Sequence, residues 1–217
     1  MKIAVVLAGV LEAGKRTKSV LDEADLVIAA DGGAERLRDI GIAPDILIGD
    51  LDSLPDGHVR ELQARDAEIL NFPERKDQTD AELALEEAVR RGASQITMLG
   101  ALGGSRIDHE IANILLLTDK SYRDRDVRLL SEAAEAWAVG GGSQSFAAEI
   151  GDVVSLIPLS ETADGVTTAG LEWELDGAAL SLGRSRTMSN VAVDATVSVS
   201  VESGVLLVMH QFGERSK

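Results

Sequence analysis

Residues 43–54 read APDILIGDLDSL. Ile46, Leu47 and Ile48 run without a polar break, as in a strand buried on both faces. Gly49 ends the run, and two carboxylates follow one residue apart, Asp50 and Asp52. In an open α/β sheet, ligands bind beyond the carboxyl ends of the strands, where these acids sit. Two carboxylates at i and i+2 in a turn can converge on one hard cation. Magnesium takes a few such oxygens together with substrate phosphates. The competing reading is a solvated Asp/Ser turn.

The pattern extends in both directions. Apolar runs at 2–8, 25–30, 45–48, 67–70, 95–99 and 127–130 alternate with amphipathic segments near 33–40, 55–65, 79–91 and 107–118. This alternation predicts an α/β fold: an N-terminal, mostly parallel sheet with helices on both faces. Segment 79–91 carries the fullest helix signals. Thr79 and Glu82 form a capping box, Arg90 and Arg91 complement the C-terminal dipole, and Gly92 stops the helix. The character changes at AWAVGGGSQS, residues 136–145. Short runs rich in Thr, Val and Ser follow, with no helical period, and predict a small C-terminal β-sandwich. The expected domains are 1–139 and 140–217, with Gly140, Gly141 and Gly142 as the hinge.

The chain has 217 residues, 45% of them hydrophobic, a net charge of −16 and no cysteine. Disulfides and cysteine-ligated metals are excluded, and a reducing cytoplasm fits. Residues 1–129 hold 17 basic and 25 acidic side chains, and residues 130–217 hold 4 and 12, so neither part carries a basic arm. Nucleic-acid binding needs clustered Lys and Arg and is not expected. The apolar run after Lys2 lacks a cleavage site and is too short to span a bilayer, so it reads as the first buried strand and no membrane partner is expected.

Four further stretches carry chemistry. GVLEAGKR (9–16) approaches a phosphate-binding P-loop, but Arg16 stands where a hydroxyl should meet magnesium. ADGGAERL (30–37) puts Asp31 at a strand end and Gly32 and Gly33 in the turn, where backbone can approach a ligand; capping by Asp31 is the simpler role. ERKDQTDAELAL (74–85) brings Lys76, Asp77, Thr79 and Asp80 to a helix N-terminus, with the lysine suited to phosphate. LGALGGSRIDHEIANILLL (99–117) is a glycine-rich anion nest in which Arg106 can grip phosphate through two donors. His109 reads as a capping or hydrogen-bonding residue, because the three histidines show no ligand spacing. No G-x-S-x-G elbow supports a serine nucleophile.

Taken together, ADGGAERL, IAPDILIGDLDSL, KDQTDAELAL and GALGGSRIDHEIANILLL resemble the thiamine pyrophosphokinase family in order and spacing. GLEWEL and SRTMSN (185–190) resemble its second domain. The resemblance implies an α/β nucleotide-binding domain, a β-sandwich that binds thiamine and dimerises, and a homodimer with sites shared between subunits. It implies transfer of diphosphate from ATP to the hydroxyethyl group of thiamine, with AMP released. Asp50, Asp52 and Asp80 would hold magnesium. Asp31, Thr79 and the turn from Gly103 and Gly104 through Arg106 to Asp108 would face ATP. Ser189 and Asn190 would fall on the thiamine side. Glu35 and Met188 depart from the family pattern, where asparagine and a hydroxyl residue are usual.

Lys76 and Arg106 would offset developing charge. Trp173 can stack on thiamine or fill the core of a small sandwich, and the balance favours the core. Such a sandwich would gain by burying a face in a second copy, and VAVDATVSVSV and GVLLVMH offer apolar surface for it. The alternatives are a diphosphokinase with a pterin-type alcohol as acceptor, a glycosyl or nucleotidyl transferase, and a non-catalytic nucleotide-binding regulator.

Overall fold

The computed structural model describes residues 1–51, 54–73, 77–122 and 124–213. The chain forms two compact units, Met1–Glu132 and Ala133–Lys217.

In the first unit the elements run β1 (Lys2–Val6), α1 (Lys15–Glu23), β2 (Leu26–Ala30), α2 (Gly33–Asp39), β3 (Ile46–Gly49), α3 (Asp56–Ala64), β4 (Glu68–Asn71), α4 (Asp80–Arg90), β5 (Gln95–Leu99), α5 (Ile107–Leu116) and β6 (Asp126–Leu130). All its strand pairs are parallel, in the order β4-β3-β2-β1-β5-β6. The chain steps outward from β1 to β4 and then returns to β5 on the other side of β1. The order therefore reverses between β1 and β5.

Successive strand residues point to opposite faces. On one face Ala4, Val6, Val27, Ala29 and Leu47 meet Leu21 of α1, Leu37 of α2 and Leu62 of α3. The other set, including Ile3, Ile28, Ile46 and Ile48, is equally buried, and α4 packs across β1, β2 and β3. Burial on both faces is why these strands read as unbroken apolar runs.

Helix α1 was not among the expected helices. Its N-cap, Gly14, offers no side chain to the helix start, and only Thr17 and Leu21 are buried along it. The cap comes from a distant carboxylate, Glu132, which accepts from the Thr17 amide at 2.7 Å and the Arg16 amide at 3.3 Å. A β-carbon at Gly14 would lie 2.1 Å from the Glu132 side chain, so a side chain there would push the carboxylate off the helix start. Burial pushes the Glu132 pKa up, but the Thr17 and Arg16 amides outweigh it and hold the group below its ordinary value. The near-P-loop is thus a helix start occupied by the protein's own anion.

The second unit holds β7 (Ala134–Val139), β8 (Gly142–Ala147), β9 (Val153–Pro158), β10 (Thr162–Ala169), β11 (Ala178–Ser181), β12 (Asn190–Val191), β13 (Thr196–Val201) and β14 (Leu206–Gln211). Its strands form two antiparallel layers, β12-β9-β14-β7 and β11-β10-β13-β8. The glycine triplet is a turn between β7 and β8 rather than a hinge between units. β7 precedes it and belongs to the sandwich, because it pairs with β14 from Ala134 to Val139.

The core centres on Trp137, Phe146, Val154, Leu156 and Val199. Trp137 and Phe146 meet edge to face at 4.9 Å. Most apolar residues of the two runs expected to form a dimer face point inward: Val197, Val199, Val201, Leu206 and Val208 are all core, whereas Val193 of the first run is exposed. Exposed apolar side chains elsewhere in the unit include Ile150, Trp173 and Met188. Among the described residues no helix is long and apolar enough to cross a membrane.

Candidate active site

The reversal of strand order between β1 and β5 opens a crevice at their carboxyl ends, the position where α/β sheets bind ligands. A cavity of about 290 Å³ lies there, lined from the segments after β1, β2 and β5 and from the starts of α4 and α5. Backbone bonds zip the segments after β1 and β5 together: Leu7 N to Leu99 O at 2.9 Å, Gly9 N to Gly100 O at 3.0 Å and Val10 N to Gly103 O at 2.7 Å. Glycine is required at this seam. A β-carbon on Gly9 would stand 2.3 Å from the Gly100 carbonyl oxygen, and Gly100 has φ +64°.

Of the residues singled out from sequence, Asp31, Thr79, Asp80, Gly103, Gly104 and Arg106 line this cavity. Asp31 follows β2 with φ 44°, a left-handed conformation uncommon outside glycine, and its amide donates to Ile48 O at 2.8 Å. A β-carbon on Gly49 would lie 3.2 Å from that of Asp31, so the ends of β2 and β3 nearly touch. Half-buried Asp50 leaves β3 at this point. Asp52 and Lys76 lie outside the described residues. Asp77 is exposed and away from the cavity lining.

Gly32 and Gly33 do not line the cavity. A β-carbon on Gly33 would sit 2.0 Å from Val6 O, so this glycine serves the close packing of α2 on β1. Thr79 caps α4, accepting from Glu82 N at 3.2 Å. The Glu82 carboxylate accepts instead from Gln78, at 3.4 Å.

At the start of α5, Arg106 grips Asp108 through two bonds of 3.0 and 2.7 Å. The Arg106 guanidinium lowers the Asp108 pKa to about 2. Both side chains are exposed, so the pair is open to exchange. The Gly104 amide donates to Glu110 Oε1 at 3.0 Å. Buried Asn113 donates to Ala101 O at 2.9 Å and ties α5 to the glycine loop. Glu110 and Asn113 were not singled out from the sequence. The signal for Asn113 was an amide inside the apolar run IANILLL. Among the described residues no three acids or histidines gather into a metal cage.

In the second unit, Trp173, Ser189 and Asn190 come together. The Asn190 side chain accepts from Trp173 N at 3.1 Å and donates to Trp173 O at 2.7 Å. Ser189 has φ 58°, and its amide donates to the buried Ser155 hydroxyl at 2.9 Å. Trp173 is 60% exposed, so the expectation that it fills the core is overturned. Trp137, at the centre of the sandwich, fills that place.

Fold and site define a class: an α/β unit with a glycine-lined cavity at its switch point, followed by an antiparallel β-sandwich. Known proteins of this class narrow it further. The family model for the thiamin pyrophosphokinase catalytic domain matches residues 17–129, and that for the thiamin pyrophosphokinase vitamin B1 binding domain matches residues 145–206. The chain is 31% identical to thiamine pyrophosphokinase 1 of Oryza sativa subsp. japonica over 85% of its own length and 78% of the relative's. It is 29% identical to thiamine pyrophosphokinase of Bacillus subtilis (strain 168), over 87% and 88% of the two chains. The crystal structure of thiamine pyrophosphokinase from Bacillus subtilis superposes with a TM-score of 0.86 at 28% identity, covering 98% of this chain and 99% of that one. The chain belongs to the thiamin pyrophosphokinase family.

Proposed function

We propose that the protein is a thiamine pyrophosphokinase, transferring diphosphate from ATP to the hydroxyethyl oxygen of thiamine and yielding thiamine diphosphate and AMP. The carrying observation is that both family domains match in order along the chain, 17–129 and then 145–206. The cavity at the β1/β5 reversal supports a nucleotide site in the first of them.

Diphosphoryl transfer relies on positioning and on offsetting negative charge. In this reading the Gly103–Gly104 backbone receives phosphate oxygens, with the Gly104 amide exchanging the Glu110 carboxylate for one of them. Arg106 exchanges Asp108 for phosphate, a match to its planar fork of donors. Asp31 accepts from the nucleoside, and Lys76, three residues before Thr79 in sequence, offers a cation for phosphate. Asp50 and Asp80 provide hard oxygen ligands of the kind magnesium takes one or two of, and Asp52 is a third in sequence. These carboxylates would hold magnesium, which would supply positive charge against the phosphates. On the second unit Trp173 presents an aromatic face to cationic thiamine, with Ser189 and Asn190 beside it. The working assembly is a homodimer in the cytoplasm, and a monomer mass by light scattering at micromolar concentration would refute the dimer.

The test is incubation with ATP, magnesium and thiamine or a pterin-type alcohol, following AMP by chromatography. AMP formed only with thiamine is the expected result. AMP formed with the pterin alcohol instead would overturn the acceptor, and no AMP with either would overturn the enzyme.

A further inference from the structure

Residues 133–213 contain ten Asp and Glu but only two side chains from Lys and Arg, Arg184 and Arg186. Both line one cavity of about 280 Å³. Pro158, at the end of β9, and Leu180, on β11, also line it, so it lies between the two sheets of the sandwich. The loop between β11 and β12 carries both arginines from one sheet to the other.

That loop is anchored at both ends. Leu182 N donates to Glu161 O at 3.0 Å. Thr187 exchanges two bonds with Leu156 of β9, its carbonyl accepting at 3.0 Å and its hydroxyl donating at 2.5 Å. The arginines are therefore presented from a backbone fixed on each side, which reduces the ordering cost of binding.

In a unit so rich in carboxylates, exposed arginines ordinarily find acids. Among the described residues these two make no ion pair or side-chain hydrogen bond, so ten guanidinium N–H donors remain for a ligand. Two such forks over one cavity match a group with several anionic oxygens, as phosphates have. We propose that Arg184 and Arg186 form an anion site for the diphosphate group of a small molecule. The site is separate from the nucleotide cavity of the first unit and does not depend on the roles assigned there.

The experiment is calorimetric titration of the full-length protein with inorganic diphosphate, beside an Arg184→Gln/Arg186→Gln double variant. The double variant should lose one binding equivalent per chain. Each single variant should weaken that equivalent about ten- to a hundredfold, the range for charge-assisted hydrogen bonds. Arg106→Ala should leave it intact, because Arg106 lies on the first unit. Both arginines are exposed and unpaired, so the variants should melt with the parent, and Arg184→Lys/Arg186→Lys gives a charge-preserving check, weakened but not abolished. Equal stoichiometry and affinity in parent and double variant would overturn the proposal. In the Arg106→Ala background, displacement by thiamine diphosphate would assign the site to a diphosphate ester of the product type. Displacement by a non-hydrolysable ATP analogue alone would assign it to a nucleotide.

Discussion

Trp173→Ala separates a binding face from a core residue. The side chain is 60% exposed, and the loop beneath it is held through backbone, by Asn190 on Trp173 N and Trp173 O. Truncation therefore removes little buried surface and no anchoring bond. Surface changes of this kind stay within about 0.5 kcal/mol. For a chain of this size that is about 1–2 °C in melting temperature. An aromatic face on a cation contributes about 0.5–2 kcal/mol, and ring stacking about 0.5–1.5 kcal/mol more. Together they give a loss of about 1–3.5 kcal/mol, or roughly five- to 400-fold in the KM for thiamine with the KM for ATP unchanged. The assay is AMP formation at varied thiamine beside a thermal melt. Asn190→Ala is the companion: it keeps the ring but frees the loop, and should also raise the thiamine KM. A thiamine KM within twofold of the parent in a folded Trp173→Ala protein would refute stacking. A fall in melting temperature of more than about 8 °C would return the residue to the core.

Three other outcomes follow from the structure. Asp50→Asn should melt within a few degrees of the parent and lose about a hundred- to a thousandfold of magnesium-dependent AMP formation, since it removes a preorganised charge while keeping shape; near-normal turnover would make the stretch only a turn. Glu132→Ala should cost about 0.5–2 kcal/mol, the range for a lost helix cap, and leave the KM for ATP unchanged, as thermal melts and kinetics would show. His210, on β14, is buried between Glu135 on β7 and Asp152 before β9, at 3.2 and 2.7 Å; burial lowers its pKa, but both carboxylates outweigh this and raise it, while the Gly213 and Glu149 amides and His210 hold Asp152 low against its own burial. The His210 contribution is full below about pH 6.5 and lost as pH rises through the folded pKa, and that of Asp152 is lost only as pH falls through its own lowered value. The stability gap between parent and His210→Gln, from denaturant midpoints, should therefore be wide at pH 5.5 and narrow at pH 9, and a gap constant over that range would count against the pair.

The parallel sheet was legible because β1, β2, β3 and β5 are buried on both faces, which forces continuous apolar runs. The sandwich was legible from period-two stretches such as TVSVSV, whose valines face the core. Helix α1 was hidden because its cap comes from Glu132, 116 residues from Arg16, a long-range bond that no local pattern encodes. The glycine triplet showed a sharp turn but not whether the turn joined units or strands; the β7–β14 pairing decided that. Trp173 was read as core because a boundary at 139/140 left Trp137 in the first domain; the β7–β14 pairing brings Trp137 into the sandwich and its core. At the candidate site, the strand-end positions of Asp31 and Asp50 were readable from spacing. The packing duty of Gly33 was not, because it depends on how near α2 approaches Val6.

The near-P-loop and the true glycine loop differ in what already fills them. At α1 the amides of Thr17 and Arg16 hold Glu132, a half-buried carboxylate whose main-chain oxygen also accepts from Arg16 NH1 at 3.1 Å. An arriving phosphate would have to expel a group locked on both its side chain and its backbone. At α5 the Gly104 amide holds Glu110 through one bond, and Arg106 holds Asp108 on the exposed surface, where an ion pair contributes little to stability. Those partners can turn to water at small cost when a more highly charged anion replaces them. Both loops offer amides at a helix start, and the motif already weakens the first, because Arg16 stands where a hydroxyl should meet magnesium. The relative ease of displacing each resident carboxylate points the same way and supports the proposal that phosphate is received at Gly103, Gly104 and Arg106.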